Sequence, residues 1–349
     1  MRTASIYIPA LSRSCALLAA VVFAGQAFAA EEVNLYTTRE PALIQPLLDA
    51  FSKDSGVKVN TVFLKDGMLE RVRAEGARSP ADVLMAVDIG NLVDLVDSGV
   101  TQAVRSTVLE KTLPANLRDA NGQWFALSQR DRVIYVQKDA RLDKLTYEDL
   151  ADPKYRGKVC IRSGQHPYNT ALVAAKIAHD GEAETEKWLR GVKANLGRKA
   201  GGGDRDVARD ILGGICDIGV ANAYYVGQMK NSAAGSDGRK WGDAIKVIRP
   251  TFATVKSGGG THVNISGAAV AKNAPNRANA VKLIEFLVSE PAQSMYAKGN
   301  YEYPIRANVA LDPVMAALGP LKTDALPVAE IARHRKQASQ LVDKVGFDN

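Results

Sequence analysis

Cysteine and histidine are scarce: three Cys and four His in 349 residues. No Cys–His group has the spacing of a zinc site, which argues against a thiolate-held metal as the organising centre. His166, His179, His262 and His334 stand in no His-Glu-x-x-His or Gly-x-Ser-x-Gly context, and no nucleophile–base pair or carboxylate dyad is visible. A hydrolase therefore remains only an alternative without apparatus, and the chain reads as a non-enzyme. The formal net charge of +7 is spread along the chain, with no polybasic tract and no interleaving of basic and aromatic residues. Nucleic acid is a poor partner for such a surface. Repeats, low-complexity tracts and apolar runs long enough to span a membrane are also absent.

What is there begins with a leader over residues 1–29. Arg2 and Arg13 form a basic start, Ala16 to Gly25 an apolar stretch, and Ala27-Phe28-Ala29 a small-x-small cleavage signal. Cys15 follows Arg13-Ser14 and precedes more of the apolar stretch, so it does not read as a lipid-anchor site. A mature chain starting near Ala30 is expected to be exported, periplasmic and not membrane-anchored. Cys160 and Cys216 would then lie in an oxidising compartment, where disulfides persist. They bridge if their two short strands are neighbours, and are otherwise small buried hydrophobes.

The remainder exceeds the usual size of a single core, so two lobes are expected. Val33–Tyr36, Lys58–Phe63 and Ala81–Val87 read as strands, alternating with helices over Pro41–Ser52, Gly67–Ala77 and Leu92–Asp97. This alternation predicts an α/β fold in which each lobe is a mostly parallel sheet flanked by helices. Trp124–Arg130 and Val133–Val136 form a long extended crossover into a second set of elements. These include strand Val159–Ile161, helices Ala171–Ala178, Glu182–Lys193 and Asp204–Leu212, and strand Cys216–Ala221. Thr261–Val270 reads as a strand returning to the first lobe. The lobes are assigned to 30–130 plus 255–305, and to 131–254 plus 306–349. Two such lobes joined by extended crossovers make a hinged cleft suited to a small ligand.

The residues that stand out are tyrosines. In Cys216-Asp217-Ile218-Gly219-Val220-Ala221-Asn222-Ala223-Tyr224-Tyr225 an apolar strand runs into two adjacent tyrosines. Neighbouring side chains on a strand point to opposite faces, so the pair converges only where the strand has ended. That carboxyl end is where open α/β sheets bind ligands. Tyr36, Tyr168 and Tyr303 also fall at predicted element ends. A phenol with a pKa of about 10 ionises at neutral pH only beside a strong cation. Hard, trivalent iron meets that need, whereas calcium or magnesium would call for carboxylates and carbonyls. The Gly201-Gly202-Gly203 run lacks the Lys-Ser/Thr of a phosphate loop and reads as a linker.

These stretches resemble the periplasmic ferric-iron-binding proteins of bacterial iron ABC transporters, within the type II periplasmic binding protein fold. The likeness is carried by Val33-Asn34-Leu35-Tyr36-Thr37-Thr38-Arg39-Glu40, Arg162-Ser163-Gly164-Gln165-His166-Pro167-Tyr168-Asn169, and Asp217 to Tyr225, and it extends over the mature chain. It implies Fe(III) as cargo, an inner-membrane ABC permease as partner, and a monomer. Tyr224, Tyr225 and Tyr168 would supply three phenolates. Tyr36 matches the position where some members place a fourth. Arg39 and Arg130 would hold a carbonate-type synergistic anion or offset the charge of the ligands. The subfamilies with an N-terminal His ligand are not matched. The same fold binding another small solute, an oxyanion for instance, is the alternative within the binding class.

Overall fold

The computed structural model describes Met1 and residues 31–255 and 259–349. Apart from Met1, the expected leader lies outside the described residues. Among the described residues nine strands form: β1 (Glu32–Thr37), β2 (Lys58–Phe63), β3 (Val83–Ala86), β4 (Thr101–Gln102), β5 (Phe125–Gln137), β6 (Val159–Cys160), β7 (Ile218–Asn222), β8 (Ile245–Ile248) and β9 (Val263–Ala271). One sheet has the order β2-β1-β3-β9-β5, with β4 on β9; the other contains β6-β7-β5, with β8 also on β5.

Both sheets are mixed. β1 pairs in parallel with β2 and β3, and β6 with β7, which are the parallel cores read from the strand–helix alternation. β9, β5, β8 and β4 add to them antiparallel. The difference arises because a chain that crosses between the two sheets and returns reverses direction, and this reversal carries no local sequence mark.

β5 is the physical link between the sheets. Its residues up to Asp131 pair with β9, and from Arg132 onward it pairs with β7 and β8. The crossover expected as two extended pieces is thus one 13-residue strand. Apolar Phe125–Leu127 and Val133–Val136 anchor it in the two cores, where all seven are fully buried or nearly so. Between them lie Ser128-Gln129-Arg130-Asp131-Arg132, of which all but Gln129 are also buried. Buried charges persist only when paired, so this polar insert marks where groups from several elements must meet.

Helices flank the sheets where the apolar spacing places them. Helix Pro41–Ser55 opens with Pro at its first turn and buries Ile44, Leu47, Leu48 and Phe51. Helix Asp204–Leu212 lies close on β7, because Gly219 leaves no side chain there; a Cβ would stand 2.1 Å from Val207 Cγ1. Cys160 and Cys216 are joined in a disulfide with their Cα atoms 5.8 Å apart. It ties β6 to the segment that enters β7. Among the described residues no helix is long and apolar enough to cross a membrane.

Candidate metal centre

Three phenols meet in a cavity of ≈ 140 Å³ lined by residues of both sheets' loops and helices. Tyr224 and Tyr225 are the first two residues of helix Tyr224–Lys230, directly after β7. Tyr168 lies in the first turn of helix Pro167–Asp180, behind His166 as N-cap and Pro167. The Tyr168 and Tyr224 hydroxyls are 3.4 Å apart, and the Tyr224 and Tyr225 rings lie 4.1 Å apart between centroids. First-turn positions favour negative charge, since unpaired backbone N–H groups and the helix dipole point toward them.

A buried polar clamp holds these elements in register. Arg132 donates to Asp204 Oδ2 at 2.7 Å, to Asn169 Oδ1 at 2.7 Å and to Asn222 Oδ1 at 3.1 Å. Asp204 Oδ2 also accepts the Asn222 backbone N–H at 2.8 Å. One guanidinium from β5 therefore ties together the residue after Tyr168, the start of helix Asp204–Leu212 and the end of β7. His166 positions Tyr168 from below: its Nδ1 accepts the Tyr168 backbone N–H at 3.2 Å, and the rings meet edge-on at 4.5 Å. Burial, with Arg162, Arg132 and Arg130 nearby, lowers the His166 pKa to about 3. It is therefore a neutral acceptor at physiological pH.

Cations surround the phenols. Arg130 Nη1 donates to the Tyr168 hydroxyl at 3.4 Å, while Nη2 donates to the carbonyls of Val87 and Ile265. The Arg130 and Arg162 guanidinium carbons stand 5.3 and 5.2 Å from the Tyr168 ring centroid. Even so, burial and the neighbouring tyrosines push the Tyr224 phenol well above its ordinary range, and burial, Tyr168 and Asp204 push Tyr225 up to about 12. Without a bound cation both are protonated at neutral pH. Only a strong cation at the phenol oxygens would displace those protons. Among the described residues no group of three or more His, Cys, Asp or Glu side chains could hold a metal.

A family profile described as bacterial extracellular solute-binding protein matches residues 78–322. The chain belongs to that family. Iron uptake protein A2 of Synechocystis is 39% identical over 318 residues, covering 90% of each chain. The solved Bordetella ferric binding protein is 76% identical with a TM-score of 0.85, covering 91% of this chain and 100% of that one. A Trichodesmium protein solved in complex with iron and citrate ligands is 39% identical with a TM-score of 0.84, covering 90% and 99%. The fold is that of the type II periplasmic binding proteins, and this solute-binding protein is not an enzyme.

Tyr36 and Arg39, the candidates of the N-terminal motif, are placed differently. Tyr36 does not reach the cavity: its hydroxyl donates to Glu75 Oε1 at 2.8 Å, and Arg71 lies over its ring. Burial and the Glu75 carboxylate raise its pKa. Tyr36 lies within β1, whereas Thr38 and Arg39, past the strand end, line the cavity. Arg39 does line it, but its guanidinium is spent on Glu302, in a fork of 2.6 and 3.0 Å, and on Ser266 Oγ at 2.5 Å. Burial works against its charge, yet Glu302 more than offsets this and holds the guanidinium above its usual range.

Several residues at the site carry no sequence signal of their own. Glu302 is buried against Arg39 and Ser128. Arg205 and Gln228 line the cavity beside Tyr225, and Arg162 is paired with Asp204. The hint available was the charged insert within β5, which announced buried partners without naming them.

Proposed function

We propose that this solute-binding protein captures Fe(III) in the periplasm through the phenolates of Tyr168, Tyr224 and Tyr225 and delivers it, as a monomer, to an inner-membrane ABC permease. The observation that carries the reading is the convergence of three phenols at two helix starts, ringed by arginines, in one cavity between two sheets joined by β5. Three phenolates balance the charge of Fe(III), and a carbonate-type oxyanion completes the remaining coordination. Because all three tyrosines belong to the second lobe, iron lands there first, and the lobe carrying Arg39 and Arg130 then closes over it. Arg130 favours the Tyr168 phenolate by opposite charge. The relatives' names, for iron uptake and ferric binding, support iron as the solute.

The test is visible absorption of the purified mature chain with ferric citrate, before and after dithionite. Phenolate-to-Fe(III) charge transfer is expected to give a red-orange band that bleaches on reduction. A Tyr168→Phe/Tyr224→Phe/Tyr225→Phe variant should be colourless with iron; a triple variant that keeps the band rules the site out.

A further inference from the structure

We propose that Tyr301 is a positioning residue for the iron centre: its ring seats the helix that carries Tyr224 and Tyr225 against the segment that bears Glu302. The proposal rests on the iron reading above and adds a residue that does not itself line the cavity.

Tyr301 stands out first by its backbone. Among the described residues it alone combines a side chain with a left-handed φ, of 60°. A Cβ disfavours that region. The residue directly follows a π-helix, Tyr296–Asn300, a rare geometry found most often at functional segments. Helices commonly end on a left-handed residue, and glycine fills that position without steric cost. A tyrosine there carries a conformational cost that its side-chain contacts must offset.

Those contacts lie on the phenol helix. The ring lies against Gly227, the fourth residue of helix Tyr224–Lys230, where a Cβ would stand 2.5 Å from Tyr301 Cγ and Cδ1. Its hydroxyl meets the Asn231 side chain at the end of the same helix. The ring packs against the smaller apolar core, which holds Ala223, Val226 and Met229. Its chain neighbours are held elsewhere. Tyr296 is fully buried in the larger core, with the Arg39 guanidinium carbon 5.8 Å from its ring centroid. Asn300 Nδ2 donates to the Leu43 carbonyl at 3.3 Å, on helix Pro41–Ser55. Glu302 takes the Arg39 fork, and Tyr303 exchanges two backbone hydrogen bonds of 2.9 Å with Gln129 of β5. The left-handed turn therefore sends one side chain across to the phenol helix while the residues on either side stay with Arg39, helix Pro41–Ser55 and β5. Through Gly227 it sets where Tyr224 and Tyr225 stand relative to the Arg39–Glu302 pair.

The experiment compares wild type, Tyr301→Phe, Tyr301→Ala, Gly227→Ala and Tyr301→Ala/Gly227→Ala. Each is read by the phenolate–Fe(III) band, by competition for iron against a chelator, and by thermal melting of the apo protein. Tyr301→Phe keeps the ring and should match wild type in band and affinity. Tyr301→Ala should shift the band and weaken iron binding by about 10- to 100-fold, the usual cost of losing a group that orients a metal ligand. Gly227→Ala pushes the ring off the helix and should do the same; it carries the test if truncating the ring costs the fold. The double variant should lose no more than either single one, because the added methyl meets no ring. Leu283→Ala, at a buried position that lines no part of the cavity, is the control for lost packing: melting falls, band and affinity stay. If Tyr301→Ala and Gly227→Ala behave like that control, the assignment is overturned while the tyrosine site stands. Loss of the band in Tyr301→Phe would make Tyr301 a ligand and overturn it as well. A wild type with no band overturns the iron reading and this inference together.

Discussion

Acid should release the iron steeply, and the slope counts the phenols. Without a bound cation the Tyr225 phenol is pushed up to about 12, with burial as the largest cause and the Tyr168 and Asp204 charges next. Ionising it at pH 7 spans about five pKa units, or about 7 kcal/mol at roughly 1.4 kcal/mol per unit. Tyr224, shifted well upward by burial and its two neighbours, adds to that. Iron supplies this free energy when it binds. The sign follows: a phenol whose pKa is raised holds its proton throughout the range below it, so binding releases protons and affinity rises with pH. Three ligand phenols imply about three protons per Fe(III), hence about a thousandfold loss of affinity for each pH unit of acidification. The assay is competition against a chelator of known protonation constants from about pH 6 to 8, with released protons counted in weakly buffered solution. Wild type should release about three protons beyond the chelator's own balance, and Tyr168→Phe about two. One proton or fewer would refute the reasoning, because the phenols would then not be the ligands.

Tyr36→Phe should leave the charge-transfer band and the proton count unchanged. It removes only the hydrogen bond to Glu75, a loss of about 1 kcal/mol in urea unfolding. Glu302→Gln should destabilise the apo protein by about 3–5 kcal/mol, since it strands the Arg39 guanidinium, 3% exposed, without its carboxylate. Calorimetric melting of the variant and of Arg39→Met/Glu302→Gln, in which the stranded charge is gone, separates the charge effect from lost packing. Replacing both Cys160 and Cys216 by Ser opens a loop of 56 residues' separation, which chain-entropy estimates put at about 4 kcal/mol. Denaturant midpoints should report that loss while the iron band keeps its position, because the disulfide holds β6 and β7 without touching the phenols.

Some of the site was legible because it is local. The apolar run Ile218–Ala221, with Tyr224-Tyr225 three residues on, reads as a strand end, and Tyr168 falls just before the helix expected over Ala171–Ala178, which in the structure opens earlier, at Pro167. Chemistry did the rest: several phenols at element ends ask for a hard, highly charged cation. Tyr36 is placed by contacts distant in sequence: β1 pairs with β2 and β3, and the Tyr36 hydroxyl meets Glu75 of helix Met68–Glu75.

The chain's own order of residues thus determined the alternation of strands and helices, the long crossover strand and the three phenols. Each depends on periodicity or on immediate neighbours. Only the tertiary structure decided the charge balance around them. Arg39 and Glu302 are 263 residues apart, Arg132 reaches Asp204 across 72, and Arg205 comes to Tyr225 from the surface of another helix. Buried charges find their partners by where the packed elements place them, at separations over which no periodicity runs. Which arginine is paired with a buried carboxylate is therefore a property of the assembled fold.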